Sequence, residues 1–187
     1  LNPGTSSSLG ETPPVVIGDK LYFNGWNAAN GEGVWVTDAS TLATSLFLDP
    51  AITTQAPGSP RAILYDANGV FYVNYNDNAT LNPGGIWKSD GTVAGTIKFI
   101  ESPVTRPTLF VAETGIYFSE ISGDLYFSLG TAGTTSLVFS GQESFPPGKL
   151  VTFGNSAVFG GNDGTGSGLW WTDSTAAGTF KIAPIIV

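Results

Sequence analysis

One short string returns four times along this 187-residue chain, and it limits the fold more than any other feature. The copies are Gly33-Val-Trp-Val-Thr-Asp-Ala-Ser40, Gly85-Ile-Trp-Lys-Ser-Asp-Gly-Thr92, Gly123-Asp-Leu-Tyr-Phe-Ser-Leu-Gly-Thr131 and Gly168-Leu-Trp-Trp-Thr-Asp-Ser-Thr175. Their marker aromatics, Trp35, Trp87, Tyr126 and Trp170, lie 52, 39 and 44 residues apart. Upstream of each marker stands an aromatic pair or its remnant: Tyr22-Phe23, Phe71-Tyr72, Tyr117-Phe118 and Val158-Phe159. Self-similarity at a period of about 45 residues is the mark of a repeat architecture in which each unit buries its apolar face against the next.

Each unit reads as four short strands. In the first they are expected at 14–17, 20–24, 33–37 and 44–48, and in the second at 62–65, 70–75, 85–89 and 96–100. The third set is expected at 109–112, 115–119, 124–128 and 135–139, and the last at 150–153, 156–159, 168–172 and 179–182. β-Branched and aromatic residues alternate or cluster in runs of four to six, and Gly or Pro arrives too often for a stable helix. The expected fold class is therefore all-β and β-propeller-like, with four repeats of a four-stranded antiparallel sheet. The units run over about 15–60, 61–108, 109–149 and 150–187, and 1–14 serves as a connector or closing segment. The marker tryptophans Trp35, Trp87 and Trp170 are expected between sheets, since such rings bury roughly 150–250 Å² each.

The turn that follows each marker has a mechanical reading. Asp accepts backbone N–H bonds across a tight turn, and a following Gly or Thr sets the entry to the outer strand. Asp38, Asp90 and Asp173 are thus structural turn braces. Leu129 stands at the equivalent place in the third unit, so the carboxylate serves the turn and not a reaction.

Composition removes whole classes of chemistry. The chain has no His and no Cys, which excludes Ser-His-Asp and Cys-His catalysis, disulfides, and metal sites that need nitrogen or sulfur ligands. Seven basic against fifteen acidic residues give a net charge of −8, a balance that repels nucleic acid and anionic lipid. No apolar run approaches the roughly 20 residues of a spanning helix, so no membrane insertion is expected. A glycosidase would need two carboxylates about 5–10 Å apart. Glu32, Asp77, Glu101, Glu113, Glu120, Asp124 and Glu143 are scattered singly. Two arginines, Arg61 and Arg106, are too few for a sialic-acid grip. No enzyme activity and no cofactor are expected.

With these residues in view, Ile86-Trp-Lys-Ser-Asp-Gly-Thr-Val-Ala-Gly-Thr96 closely resembles the Glu-Leu-Trp-x-x-Asp-Gly-Thr-x-x-Gly-Thr repeat of large bacterial extracellular proteins. Residues 169–179 are nearly as similar. The first unit departs from the pattern at Ala39-Ser40, and the third at its Tyr-Phe-Ser-Leu centre. The resemblance spans essentially the whole chain. It implies a secreted or surface-displayed propeller-like module with no assigned reaction, and it carries over no catalytic residue.

The chain does not begin with Met, which is expected of a processed product or an excised segment. Written tail to head, Ile185-Ile-Val187 followed by Leu1-Asn-Pro-Gly4 reads as an ordinary junction between units. The termini then either meet to close a ring or feed a further copy, and copies of the chain become expected partners through the terminal strands. The function expected on these grounds is a non-catalytic structural or adhesive module at a bacterial surface, self-assembling or in a tandem array. The alternative is a lectin-like propeller. Trp26 in a loop, Trp171 on the far side of its strand from Trp170, and Tyr75 are its candidate glycan or partner contacts. Oxygen-rich clusters at 74–78 and 162–164 could ligate calcium, although turn formation by Asn, Asp and Gly accounts for both. Asn78-Ala-Thr80 matches a glycosylation acceptor.

Overall fold

The computed structural model describes residues 14–27, 31–48, 59–65, 71–76, 85–90, 92, 94–101, 108–131, 133–142 and 149–184. They form sixteen strands and, among the described residues, no helix. The first sheet is β1 (Val15–Ile17), β2 (Lys20–Asn27), β3 (Gly31–Asp38) and β4 (Thr44–Leu48). The second is β5 (Ser59–Tyr65), β6 (Phe71–Asn76), β7 (Gly85–Ser89) and β8 (Ile97–Glu101). The third comprises β9 (Thr108–Val111), β10 (Ile116–Ser119), β11 (Leu125–Ser128) and β12 (Ser136–Phe139). The fourth comprises β13 (Leu150–Phe153), β14 (Ser156–Asn162), β15 (Ser167–Thr172) and β16 (Phe180–Pro184). Each sheet is an antiparallel meander in chain order, as the repeat predicts. Every expected strand is present, and β2, β3, β5, β14 and β16 extend two to three residues beyond their expected bounds.

The chain divides into two compact units, Leu1–Thr105 with the first two sheets and Arg106–Val187 with the last two. In the first unit, Tyr22 and Val34 form a buried centre joined by Val15, Ile17, Val36 and Phe47, and Trp87 of the second sheet packs against it. In the second unit, Tyr117, Leu125, Phe127 and Val138 of the third sheet meet Ala157, Phe159 and Trp170 of the fourth. Both units follow one rule. The Tyr-bearing face of one sheet takes the marker-bearing face of the next.

Short hairpins hold the first two strands of a sheet together. Gly18 (φ +60°) opens the two-residue turn between β1 and β2, and Gly154 (φ +63°) opens its counterpart between β13 and β14. A positive φ at the first central residue matches the twist of the strands and favours Gly there. The third sheet meets the fourth at this second turn: the Thr114 N–H donates to Asn155 Oδ1 at 2.9 Å, the Glu113 N–H to the Gly154 carbonyl at 3.1 Å, and the buried Tyr117 hydroxyl to the Asn155 carbonyl. Burial pushes the Tyr117 phenol above its ordinary value.

Two features lie beyond the repeat as read from sequence. Pairing sets Phe23 opposite Trp35, Phe118 opposite Tyr126 and Phe159 opposite Trp170, but in the second sheet Val73 faces Trp87. The frame there is Tyr72-Val73, one residue later than Phe71-Tyr72. Register follows hydrogen bonding, and an aromatic pair alone does not fix it. The other feature is a β-bulge at the same step in all four sheets, immediately before the marker aromatic. Val34 pairs with Leu48 while Trp35 pairs with Leu46, which leaves Phe47 as the extra residue. Phe99, Val138 and Ile182 are the extra residues of the other outer strands. A bulge bends its strand and raises the local twist.

Candidate functional site

The most regular polar construction lies just beyond the third strand of each sheet. In the fourth, Asp173 Oδ1 accepts from the Thr175 N–H at 2.9 Å and from the Thr175 hydroxyl at 2.6 Å. The same Thr175 oxygen takes the Gly178 N–H at 2.9 Å, and the Thr179 hydroxyl donates to the Thr175 carbonyl at 2.6 Å. The second repeat reproduces this net around Asp90, Thr92, Gly95 and Thr96. In the first, Asp38 Oδ1 accepts from the Ser40 N–H at 2.9 Å and the Thr41 N–H at 3.0 Å, and from the Ser40 hydroxyl.

These bonds favour the ionised carboxylate. The Ser40 hydroxyl, followed by the Thr41 N–H, lowers the Asp38 carboxyl to about 2. The Thr92 hydroxyl and N–H lower Asp90, and those of Thr175 lower Asp173. All three carboxylates are consumed in closing a turn.

The geometry also accounts for the Gly of the trailing Ala-Gly-Thr. A Cβ on Gly178 would stand 2.1 Å from the Asp173 carboxylate, and one on Gly95 would stand 2.0 Å from that of Asp90. Ser174 takes φ +73°, at the place where the second repeat has Gly91. A further link joins hydroxyls seven residues apart in every repeat: Thr37 to Thr44, Ser89 to Thr96 and Thr172 to Thr179, each at 2.7 Å, and Ser128 to Thr135 at 3.1 Å. It persists in the third repeat, where Leu129 replaces the carboxylate. The sequence pattern marked only Thr96 and Thr179 of these residues, as entries to the outer strand, although a hydroxyl residue at both ends of each seven-residue span was there to be seen.

The tryptophans fall into separate surroundings. Trp35 and Trp170 are buried, and Trp87 is half-buried against the first sheet. The Trp170 Nε1–H donates to the Gly161 carbonyl at 3.2 Å, and its ring lies against Phe139 with centroids 4.7 Å apart. Lys181 Nζ sits 5.1 Å from the Trp170 ring centre and 3.3 Å from Asp163 Oδ1. Within the 162–164 cluster, Asn162 Oδ1 accepts from the Gly164 N–H, and Asp163 Oδ1 from the Thr165 N–H and hydroxyl. These oxygens are committed to turns and to Lys181. The cluster at 74–78 and the Asn78 acceptor extend outside the described residues, as do the side chains of Trp26 and Tyr75. Trp26 lies on strand β2, opposite Glu32, and not in a loop.

Trp171 is half-buried on the opposite face of β15 from Trp170 and stacks on Phe153, with centroids 6.3 Å apart and planes at 23°. Around it the fourth sheet displays Val151, Phe153, Leu169, Phe180 and Ile182, at 60, 58, 37, 56 and 49% exposure. These are five of the eleven large hydrophobic residues that stand exposed among the described residues. They gather because Val151, Phe153 and Leu169 share the period-two face of Trp171, and because Phe180 pairs directly with Trp171 and Ile182 lies two residues further along the same face of β16.

No family model and no curated protein matches the sequence. Solved structures do match in fold. One of two prolyl endopeptidases analysed for inter-domain dynamics aligns with 95% of this chain and 28% of its own, at 12% identity and a TM-score of 0.61. An acylaminoacyl peptidase from Pyrococcus horikoshii aligns with 95% of this chain and 32% of its own, at 15% identity and a TM-score of 0.58. TolB from Acinetobacter baumannii aligns with 90% and 42%, at 12% identity and a TM-score of 0.51. The chain spans less than half the length of each. At such identities the likeness concerns fold alone: four four-stranded antiparallel sheets, with Trp87 packed on the first and Trp170 on the third, make this an all-β, β-propeller-like chain.

Proposed function

We propose that this chain is a non-catalytic structural module, displayed outside a bacterial cell, that works by associating with further copies of itself. The observation that carries the reading is the uncovered apolar face of the fourth sheet. Contiguous exposed hydrophobic surface of this kind marks an interaction site. The carboxylates support the non-catalytic part, since Asp38, Asp90 and Asp173 are each bonded within their own turn. The peptidases share the fold at 12–15% identity over about a third of their length, which brings no reaction to this chain. The extracellular setting rests on the Trp-x-x-Asp-Gly-Thr resemblance. Light scattering of the purified chain from micromolar to millimolar concentration tests association, and a single-chain mass throughout would overturn it. Protease treatment of intact cells tests display, and a chain that is cut only after lysis would refute an external location.

The Phe153–Trp171 stack favours a second reading, a glycan-binding face, because a flat aromatic pair at a surface suits the apolar side of a sugar ring. A glycan array followed by fluorescence titration decides it. No response at millimolar sugar removes this reading.

A further inference from the structure

The exposed face of the fourth sheet is, position by position, the face that the other unit and the neighbouring sheet already use as core. Register places Val151, Phe153, Val158, Leu169, Trp171 and Ile182 at the positions of Val15, Ile17, Tyr22, Val34, Val36 and Phe47 in the first sheet. Those six are the cluster on which Trp87 packs. The third-sheet equivalents, Phe110, Ala112, Tyr117, Leu125, Phe127 and Val138, pack on Phe159 and Trp170. All six positions are apolar in each of these three sheets, and only in the fourth are most of them in solvent. A face with this pattern is built to be covered by another sheet.

The choice of occupant follows from which surfaces remain open. The marker faces of the second and fourth sheets are engaged within their own units. Those of the first and third are covered as well, with Phe23, Trp35 and Phe118 at 4, 6 and 2% exposure. Among the described side chains, the open apolar sheet face that a second copy offers is therefore this same one. Deepening the self-association proposed above, and resting on it, we infer that two copies of the chain pair through their fourth sheets about a two-fold axis, Val151, Phe153, Leu169, Trp171 and Ile182 of each lying against those of the other. Such an isologous contact closes at two copies. Two sheets stacked about 10 Å apart would interdigitate these side chains as in a β-sandwich.

Four strands about 4.8 Å apart and about five residues long present roughly 300 Å² in plan. A standard stable interface buries about 800 Å² per partner. The dimer is accordingly weak, with dissociation in the micromolar range or above.

Sedimentation velocity on the whole chain from about 10 μM to 1 mM tests this, beside Phe153→Lys and Ile182→Glu. Both side chains are exposed, so the variants should fold, which circular dichroism and thermal melting check. The expected result is a wild-type mass rising from 19.4 kDa to twice that value, with association at least tenfold weaker in each variant. Wild-type chain that remains a single-chain species would overturn both the pairing and the self-association on which it rests. If wild type and variants associate equally, the fourth-sheet interface is wrong while self-association stands. Growth past two copies that the variants abolish would refute the two-fold arrangement and put a head-to-tail contact in its place.

Discussion

Thr172 Oγ1 and Thr179 Oγ1 lie 2.7 Å apart in the fourth repeat, bridging the end of the third strand to the start of the outer one. Thr172 is fully buried, and its oxygen also accepts the Ser174 N–H at 3.1 Å. Thr172→Val keeps the shape and deletes both bonds. The expected loss is about 1–2 kcal/mol in urea unfolding, the usual cost of stranding buried partners. Thr179→Val should cost a similar amount, because it removes the bonds to Thr172 and to the Thr175 carbonyl and strands the buried Thr172 hydroxyl.

Gly178 and Asp173 should behave as one element. Gly178→Ala drives a methyl into the carboxylate, which must leave Thr175 to make room. The expected cost is about 1 kcal/mol or more. In an Asp173→Ala background most of that cost should vanish, since the clash and the bonds it breaks are both gone. A double-mutant cycle on denaturation midpoints reads the coupling directly. Additive losses would disprove the link.

Leu42 holds φ +57° with 78% of its surface exposed, a left-handed conformation that costs a branched residue about 1 kcal/mol and costs Gly little. Its side chain has no burial to lose. Leu42→Gly is therefore expected to raise stability by about 0.5–1 kcal/mol, as measured by thermal melting, against the ordinary trend for Gly substitutions.

Acid should weaken the turns in a defined window. The folded-state carboxyls of Asp38, Asp90 and Asp173 lie below the unfolded value, so their contribution to stability is complete above about pH 4–5. It declines as pH falls through the folded values, which for Asp38 means down to about 2. Denaturation midpoints of the wild type should hold level from pH 7 to about 5 and then drop. An Asp38→Asn, Asp90→Asn, Asp173→Asn triple variant should start lower and fall less steeply over the acid range.

The repeat exposed the architecture because each sheet needs the same apolar positions, and a fourfold pattern averages out the drift of any one loop. Turn chemistry was readable at Asp38, Asp90 and Asp173, where a short side chain bonds its own backbone two residues on. Contacts across strands were harder to read. The Phe71-Tyr72 frame failed because the hydrogen-bond register of β6 against β7 is set by the whole hairpin, and it brings Val73 opposite the marker Trp87. The need for Gly178 was hidden because the neighbour it accommodates is five residues upstream and is met only once the turn has closed. Trp171 was singled out by alternation alone. What alternation could not supply was its company on the folded face, Phe153, Val151 and Ile182, which arrive from two other strands.

The bulge before every marker aromatic makes the outer strands spare parts of a common gauge. Each carries its surplus residue at the same step, so Thr44–Leu48 grafted in place of Thr179–Ala183 would seat with its kink already in place. Sliding the graft by a single residue would set surplus against regular spacing and forfeit the ladder. An exchanged outer strand would therefore either seat along its whole length or fail outright.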